Sequence, residues 1–147
     1  MRVKIPRLVI AGLSGDSGKT LVSLGIARAL SDRGVAVRPF KKGPDYIDTA
    51  WLGVAARSTC RNLDTFLMND EAMASALTRA AHDADLILVE GNRGLFDGVD
   101  VEGSHSTAML ARRPSLPRSP PAPTGSVRSS GIRRPPLRVW RRSRPLS

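Results

Sequence analysis

The segment that most constrains this chain is Val9–Thr20, where an apolar run, a glycine-rich turn and a helix start follow one another without a break. The apolar run stops at Gly12, and Gly18, Lys19 and Thr20 open a helical pattern. Backbone N–H groups of such a loop, together with the N-terminus of the following helix, favour an anion at one point. The segment therefore predicts a phosphate-binding loop.

The loop departs from the strict G-x-x-x-x-G-K-[ST] spacing, because Leu13 stands where that pattern has its first glycine and Gly12 lies one residue further out. Lys19 supplies positive charge for terminal phosphates, and the Thr20 hydroxyl is placed to ligate Mg²⁺. A glycine-rich turn with a surface lysine is the alternative interpretation. The predicted nucleotide-binding residues are Gly12, Ser14, Gly15, Asp16, Ser17, Gly18, Lys19, Thr20 and Leu21.

Apolar runs and helical periods alternate along the first 111 residues, which predicts an α/β fold: a P-loop NTPase-like parallel sheet flanked by helices. The predicted strands are Arg7–Leu13, Val35–Phe40 and Asp85–Glu90. Four helices are predicted. The first is Gly18–Arg33, ended by Gly34, and the second is a short helix capped by Asp48-Thr49 that runs through Val54 or Ala55. The third is Asp70–His82 with Asp70 as N-cap, and the fourth is Thr107–Ala111, capped by Ser104 or Ser106. Arg57–Asp64 reads as irregular, and Asp64–Leu67 as a turn.

Candidate site residues follow two of the strands. Lys41–Asp48 comes directly after the second strand, and Gly43 and Pro44 indicate a loop at the strand ends, where open α/β sheets bind ligands. Glu90 ends the third strand as a Walker-B-like carboxylate that can hold Mg²⁺; a solvent-facing glutamate is the alternative. Gly91–Gly103 reads as a long loop, and such loops are usually functional.

The formal charge of +10 is unevenly distributed. Residues 1–111 carry 13 Lys or Arg against 13 Asp or Glu, whereas residues 112–147 carry ten Arg and no acid. This argues against nucleic acid as a partner of the first part, and it predicts a partial P-loop domain over 1–111 and an Arg/Pro/Ser-rich disordered tail over 112–147. Two interpretations of the tail stay open. It is either a basic segment that contacts nucleic acid, or the product of translation in a shifted reading frame.

A single cysteine, Cys60, excludes an internal disulfide and fits a reducing compartment. Apolar runs stay shorter than the roughly 18 residues that a membrane-spanning helix needs. We therefore expect a cytoplasmic protein without a membrane partner.

Four blocks, in this order, make residues 1–111 resemble the N-terminal synthetase domain of the cobyrinic acid a,c-diamide synthase family, which is related to cobyric acid synthase and dethiobiotin synthetase. The blocks are the long-spaced phosphate loop that ends in Ser17–Thr20, followed by Phe40–Asp48, Cys60–Asp64 and Glu90–Gly98. The second and fourth are the most specific. Within the fourth, Asn92-Arg93 stands where a small or hydrophobic pair is common, which could mark a subgroup with a different tetrapyrrole substrate.

The resemblance implies an ATP- and Mg²⁺-dependent carbon–nitrogen ligase. Such an enzyme phosphorylates two carboxylates of a corrinoid or related tetrapyrrole, and ammonia from glutamine displaces each phosphate. By resemblance, Asp48 and Asp97 orient substrate or ammonia, with turn capping as the alternative role of the loop aspartates. The implied catalytic residues are Lys19, Lys41, Asp45, Asp48 and Asp97, and the implied metal ligands are Thr20, Asp45 and Glu90.

The resemblance covers only the beginning of such an enzyme. The family's C-terminal glutamine amidotransferase domain is not recognised in this sequence, and Cys60 is not its nucleophile, so we expect the chain to be inactive in amidation by itself. A homodimer is one assembly that the resemblance allows. Two alternatives stay open: a ParA/MinD-like ATPase, and a non-catalytic nucleotide-binding protein with a basic tail. Ser14 argues against the first, because it occupies the position of that family's signature lysine.

Overall fold

The computed structural model describes residues 5–113, so the predicted tail lies outside the described residues apart from Arg112 and Arg113. Strands and helices alternate through this part of the chain, and the predicted α/β class is confirmed. The elements are β1 (Arg7–Gly12), α1 (Lys19–Asp32), β2 (Val37–Lys42), α2 (Ile47–Ala56), β3 (Arg61–Leu63), α3 (Asp70–Ala81), β4 (Leu86–Gly94) and α4 (Thr107–Arg112). Within residues 5–113, no helix is long and apolar enough to cross a bilayer.

The strands form one parallel sheet in the order β1-β4-β2-β3. β4 therefore lies between β1, which leads into the phosphate-binding segment, and β2, which leads into the Gly43–Asp48 segment. The register pairs Lys41 with Glu90 across β2 and β4. Because the strands are parallel, their carboxyl ends meet at one edge of the sheet, and both charged residues lie at that edge.

The sheet is covered on both faces, which explains the contiguous apolar sequence of β4. Successive side chains of a strand point to opposite faces. Ile87 and Val89 pack in a core cluster with Met73 and Leu77 of α3. Leu88, between them, packs in a second cluster with Ala27 of α1.

Two strands run further than predicted. β2 continues to Lys42 and β4 to Gly94, whereas the sequence pattern ended them at Phe40 and Glu90. Lys41 is therefore part of the sheet, and the expectation that it begins a loop is wrong. The apolar run does not indicate the true ends of these strands. Their last residues include charged ones, which face the site, but the backbone of those residues is still paired with the neighbouring strands.

The short strand β3 lies in a segment expected to be irregular. It pairs with the end of β2, with Arg61 opposite Phe40 and Leu63 opposite Lys42, and Leu63 is fully buried. Three residues are too few for a periodic signal, so pairing with β2, rather than local sequence, defines the strand.

The helix caps differ in detail from the predictions. α3 is capped by Asn69, not Asp70: the Asn69 side chain accepts a hydrogen bond from the Ala72 N–H. Ser106 caps α4, as one of the two predicted options. α2 begins at Ile47, so Asp48 lies in its first turn rather than capping it.

Candidate active site at the carboxyl ends of the strands

The phosphate loop, defined here as Leu13–Gly18, connects β1 to α1 and folds back onto the end of β1. A Cβ atom added at Gly12 would lie 1.9 Å from the Ser17 hydroxyl oxygen, so any other residue there would force the Ser17 side chain to move. Gly18, which precedes the first turn of α1, has φ of 78°. The turn therefore depends on glycine at both ends.

The Lys19 ammonium lies over this loop. Its Nζ donates to the Ser14 carbonyl oxygen at 3.0 Å and to the Ser17 hydroxyl at 3.3 Å. Both acceptors are exposed groups of the loop itself, so an arriving anion can replace them at little cost. Lys19 is thus held where the loop amides would meet a phosphate.

Beneath the loop lies a set of ionic and polar side chains, Thr20, Lys41, Asp48 and Glu90, which we call the buried cluster. Glu90 is fully buried, and its Oε1 accepts the Thr20 hydroxyl at 2.7 Å and the Lys41 ammonium at 2.8 Å. Asp48 Oδ2 lies 2.8 Å from Lys41 Nζ and 3.4 Å from Thr20 Oγ1. The cluster therefore joins α1, β2, α2 and β4 at one point.

Lys41 is the cation of the buried cluster, with 3% of its surface exposed. Burial alone would lower the pKa of its ammonium, but the Asp48 and Glu90 carboxylates bonded to it raise that pKa above its ordinary value. The ammonium also donates to the Gly91 carbonyl oxygen at 3.3 Å. Lys41 thus stays charged at neutral pH and compensates two neighbouring carboxylates.

The buried cluster offers oxygen donors that suit a Mg²⁺ ion. Glu90 Oε2 is buried and lacks a hydrogen-bond partner within residues 5–113, and the Thr20 hydroxyl and Asp48 carboxylate lie next to it in the same cluster. No group of three or more His, Cys, Asp or Glu residues in the described part of the chain could hold a metal by itself. Mg²⁺ sites in proteins commonly use phosphate oxygens and water as further ligands.

The other two predicted aspartates lie in local turns. Asp45 Oδ1 accepts the Asp48 N–H at 2.9 Å, at the start of α2. Asp97 Oδ2 accepts the Gly94 N–H at 2.8 Å, in the turn that follows β4. The structure therefore brings Asp48, rather than Asp45, into contact with Thr20 and Lys41.

A cavity of about 390 Å³ opens over the phosphate loop and the buried cluster. It is lined by Gly15–Thr20, by Lys41 and Asp48, and on its far side by Asn92 and Arg93 from the end of β4. Next to it lies a cavity of about 340 Å³, lined by Gly43–Ile47 and Asn92. Of the predicted nucleotide residues, Gly12, Ser14 and Leu21 are not part of the lining of the first cavity, and the two cavities share Asn92.

Sequence reasoning missed two residues of this region. The Asn62 side-chain amide donates to the carbonyl oxygens of Gly43 and Asp45 at 2.6 and 2.7 Å, and so fixes the segment that leads to Asp48. The only signal for Asn62 was its place in the Cys60–Asp64 block. Arg93 was noted only as an unusual residue, yet it lines the phosphate cavity.

Cys60, which precedes β3, is a free cysteine that is partly buried. Burial is the main cause that raises its pKa to about 12. The expectation that Cys60 is not the amidotransferase nucleophile stays a prediction.

Four residues other than glycine have positive φ within residues 5–113, and each of them lines a cavity. Asp16, which belongs to the phosphate loop, has φ of 52°. Arg93 has φ of 50°, and His105 has φ of 60°. The fourth, Arg57, has φ of 51° and lines a cavity that also includes Arg38 and Ser58.

Comparison with known proteins is consistent with this geometry. Residues 8–113 match the CbiA family model, described as the CobQ/CobB/MinD/ParA nucleotide binding domain. The chain belongs to this family. The CbiA domain thus spans all the elements from β1 to α4, together with the phosphate loop and the buried cluster.

Two curated relatives of this chain have the same name. The cobyrinate a,c-diamide synthase of Magnetococcus marinus is 49% identical over 117 residues, which are 80% of this chain and 25% of that protein. The cobyrinate a,c-diamide synthase of Syntrophotalea carbinolica is 45% identical over 108 residues, or 73% of this chain and 24% of that protein. The resemblance predicted from the four blocks is confirmed, and the chain spans about a quarter of the length of these relatives.

Proposed function

We propose that this chain is the nucleotide-binding part of an ATP- and Mg²⁺-dependent carbon–nitrogen ligase. The ligase amidates the a and c carboxylates of cobyrinate, or of a related tetrapyrrole, through phosphorylated carboxylates. The relatives' names and the CbiA family membership support this proposal. Ammonia comes from glutamine, supplied by the amidotransferase domain that the family resemblance implies, and the location is cytoplasmic.

The contact between Thr20 and Glu90 is the observation that carries the proposal. A hydroxyl in the first turn after the phosphate loop meets a fully buried carboxylate at the end of the neighbouring strand, 2.7 Å away. This pairing of a loop hydroxyl with a strand-end acid is the arrangement that holds Mg²⁺ beside a bound nucleotide in P-loop proteins. It supports phosphoryl transfer as the chemistry of the site.

Each residue of the site has a role in this proposal. The loop amides and Lys19 bind the ATP phosphates, and Lys41 lies close enough to the same cavity to neutralise the transferred group. Thr20 and Glu90, with Asp48 or Asp45, would hold Mg²⁺, which would neutralise part of the negative charge of the phosphates. Asp48 and Asp97 orient the carboxylate or the ammonia.

The exposed apolar side chains at the start of α2 favour a large, flat substrate. Tyr46 and Ile47 are mostly exposed and line the cavity next to the phosphate loop. They provide a face against which the edge of a tetrapyrrole can pack, with its carboxylate directed towards Lys41.

The proposal is tested by measuring binding to the 147-residue chain with isothermal titration calorimetry. We expect ATP to bind in the presence of Mg²⁺, cobyrinate to bind as well, and each ligand to raise the affinity of the other. Glu90→Gln is expected to weaken the Mg²⁺-dependent part of ATP binding, and Arg33→Met, at the end of α1, serves as the control. ATP binding without any cobyrinate binding would contradict the proposed substrate and favour a ParA/MinD-like switch.

A further inference from the structure

A third cavity, of about 250 Å³, adjoins the phosphate cavity, and Asp97 is the one residue of its lining that has a role in the function proposed above. Its walls come from the end of β2, the turn after β3 and the loop between β4 and α4. The residues that matter here are Lys42, Arg93, His105, Asp64, Asp97 and Phe66. We call it the carboxylate cavity, for the reason developed below.

The two cations of this cavity have unused hydrogen-bond donors. Within residues 5–113, neither the Lys42 side chain nor the Arg93 side chain has a hydrogen-bond or ion-pair partner. Lys42 is half-buried, and burial is the main cause that lowers the pKa of its ammonium; Lys41 lowers it further, while Asp64 partly offsets both effects. An anion in the cavity would satisfy a group that is now desolvated without a bonded partner.

The carboxylates on the same walls are already engaged. Asp64 Oδ1 accepts the N–H groups of Phe66 and Leu67 at 2.7 and 3.2 Å. Asp97 Oδ2 accepts the Gly94 N–H. Although two acids offset two bases in formal charge, the acids stabilise the turns, and the donors of the bases stay available to a ligand.

Shared walls connect this cavity to the phosphate cavity. Asn92 and Arg93 line both, and the backbone of Arg93 adopts a positive φ at the boundary between them. A molecule with one group at the phosphate loop can therefore reach the carboxylate cavity with another. Phe66, which packs edge-on against His105 with ring centroids 5.5 Å apart, adds an apolar wall.

We propose that this cavity binds a second, non-reacting carboxylate of the substrate through Lys42 and Arg93, and so orients the carboxylate that is phosphorylated. The inference rests on the proposed function in taking the substrate to be a polycarboxylate. A carboxylate, rather than a further phosphate of the nucleotide, is favoured because the cavity lies beyond Asn92 and Arg93 from the phosphate loop and has an apolar wall. Bidentate binding to arginine suits a planar carboxylate.

The test compares cobyrinate binding by the 147-residue chain and its variants in the same calorimetric titration. We expect Lys42→Met and Arg93→Met each to weaken cobyrinate binding about tenfold, the effect of losing one charge-assisted hydrogen bond. Lys42→Arg, which keeps the charge, is expected to retain most of the affinity. Arg33→Met removes a distant positive charge and controls for overall electrostatics, and circular dichroism checks that each variant is folded.

The possible results separate this inference from the proposed function. If the chain binds cobyrinate and the variants bind it equally well, the carboxylate cavity is not used and the proposed function stands. If Lys42→Met weakens ATP binding while cobyrinate binding is unchanged, the cavity belongs to the nucleotide and the inference is overturned.

A second probe covers the case in which cobyrinate does not bind at all, which would contradict the proposed substrate. Citrate, a small polycarboxylate, then decides the matter. Citrate binding that Lys42→Met weakens would support a carboxylate site for a different substrate. The inference would be overturned if citrate did not bind, or if the parent chain and Lys42→Met bound it equally well.

Discussion

The phosphate loop and the buried cluster lie side by side and are built in opposite ways. The loop is exposed, and the Lys19 ammonium above it is held only by the loop's own oxygens. The side chains of the buried cluster contact one another across four elements, and Glu90 is fully buried. We therefore expect binding and folding to be separable at the loop but not at the cluster, because the cluster is also part of the interior of the protein.

Replacing Lys41 is expected to have the largest effect. Lys41→Met leaves the buried Glu90 carboxylate without its cation, and removing one partner of a buried ion pair costs about 3–5 kcal/mol of the free energy of unfolding. Urea unfolding followed by circular dichroism measures this difference. Lys42→Met, the next residue of the same strand, is a matched control and should change stability by less than about 1 kcal/mol. If both variants were equally stable, the buried cluster would not contribute to folding.

Replacing Lys19 should affect binding alone. Lys19→Met is expected to weaken ATP affinity by about tenfold to a hundredfold, because a charge-assisted bond to phosphate is lost. Its free energy of unfolding should stay within about 0.5 kcal/mol of the parent chain, since the bonds that it loses are exposed. Calorimetric titration and urea unfolding of the same preparation check both numbers. A clear loss of stability would show that the loop and the cluster are not independent.

Cys60, which is partly buried and lies outside the buried cluster, gives a test of stability that depends on pH. Its folded-state pKa of about 12 lies above the ordinary 9.0, so between these values the unfolded chain releases the thiol proton while the folded chain keeps it. Stability is therefore expected to fall as pH rises through this window, and the fall should be shallower in Cys60→Ser. At pH 9, iodoacetamide should alkylate the native thiol at least about tenfold more slowly than in urea. Equal rates would mean that the thiol is accessible and unshifted.

The smallest effect is expected at Asp97. If its carboxylate acts only by accepting the Gly94 N–H, Asp97→Ala costs about 0.5–1.5 kcal/mol, and Asp97→Asn, which keeps an acceptor oxygen, costs less. Thermal unfolding of the two variants measures the difference. Neither change should alter ATP affinity, and a loss of ATP affinity in Asp97→Asn would instead assign the carboxylate to the nucleotide site.

Much of the fold could be predicted from the sequence, because its strongest signals are local. The apolar runs that became β1, β2 and β4, the glycine-rich turn after β1 and the periodicity of α1 and α3 are all determined by nearby residues. β3 could not be predicted in this way, since Arg61–Leu63 is a strand only because it pairs with β2. The extension of β2 through Lys41 was missed for the same reason: its pairing with Glu90 joins residues far apart in the chain.

The site shows the same limit. Lys19, Thr20 and Glu90 were recognised by their places after a loop and at a strand end. The grouping of Asp48 with Lys41, and the use of the Asp45 carboxylate to accept an N–H at the start of α2, depend on where α2 begins. Whether these residues catalyse a reaction stays a prediction until the variants are measured.

The four residues with positive φ suggest where this domain could be made more stable. A side chain in the left-handed region costs roughly 1–2 kcal/mol relative to ordinary backbone geometry, a cost that glycine does not incur. Glycine at 16, 93 or 105 would remove strain from the wall of a cavity, at the expense of the charged or aromatic group presented there. A screen for heat-resistant variants would therefore be expected to select glycine at these positions, and the resulting proteins would hold their ligands less well.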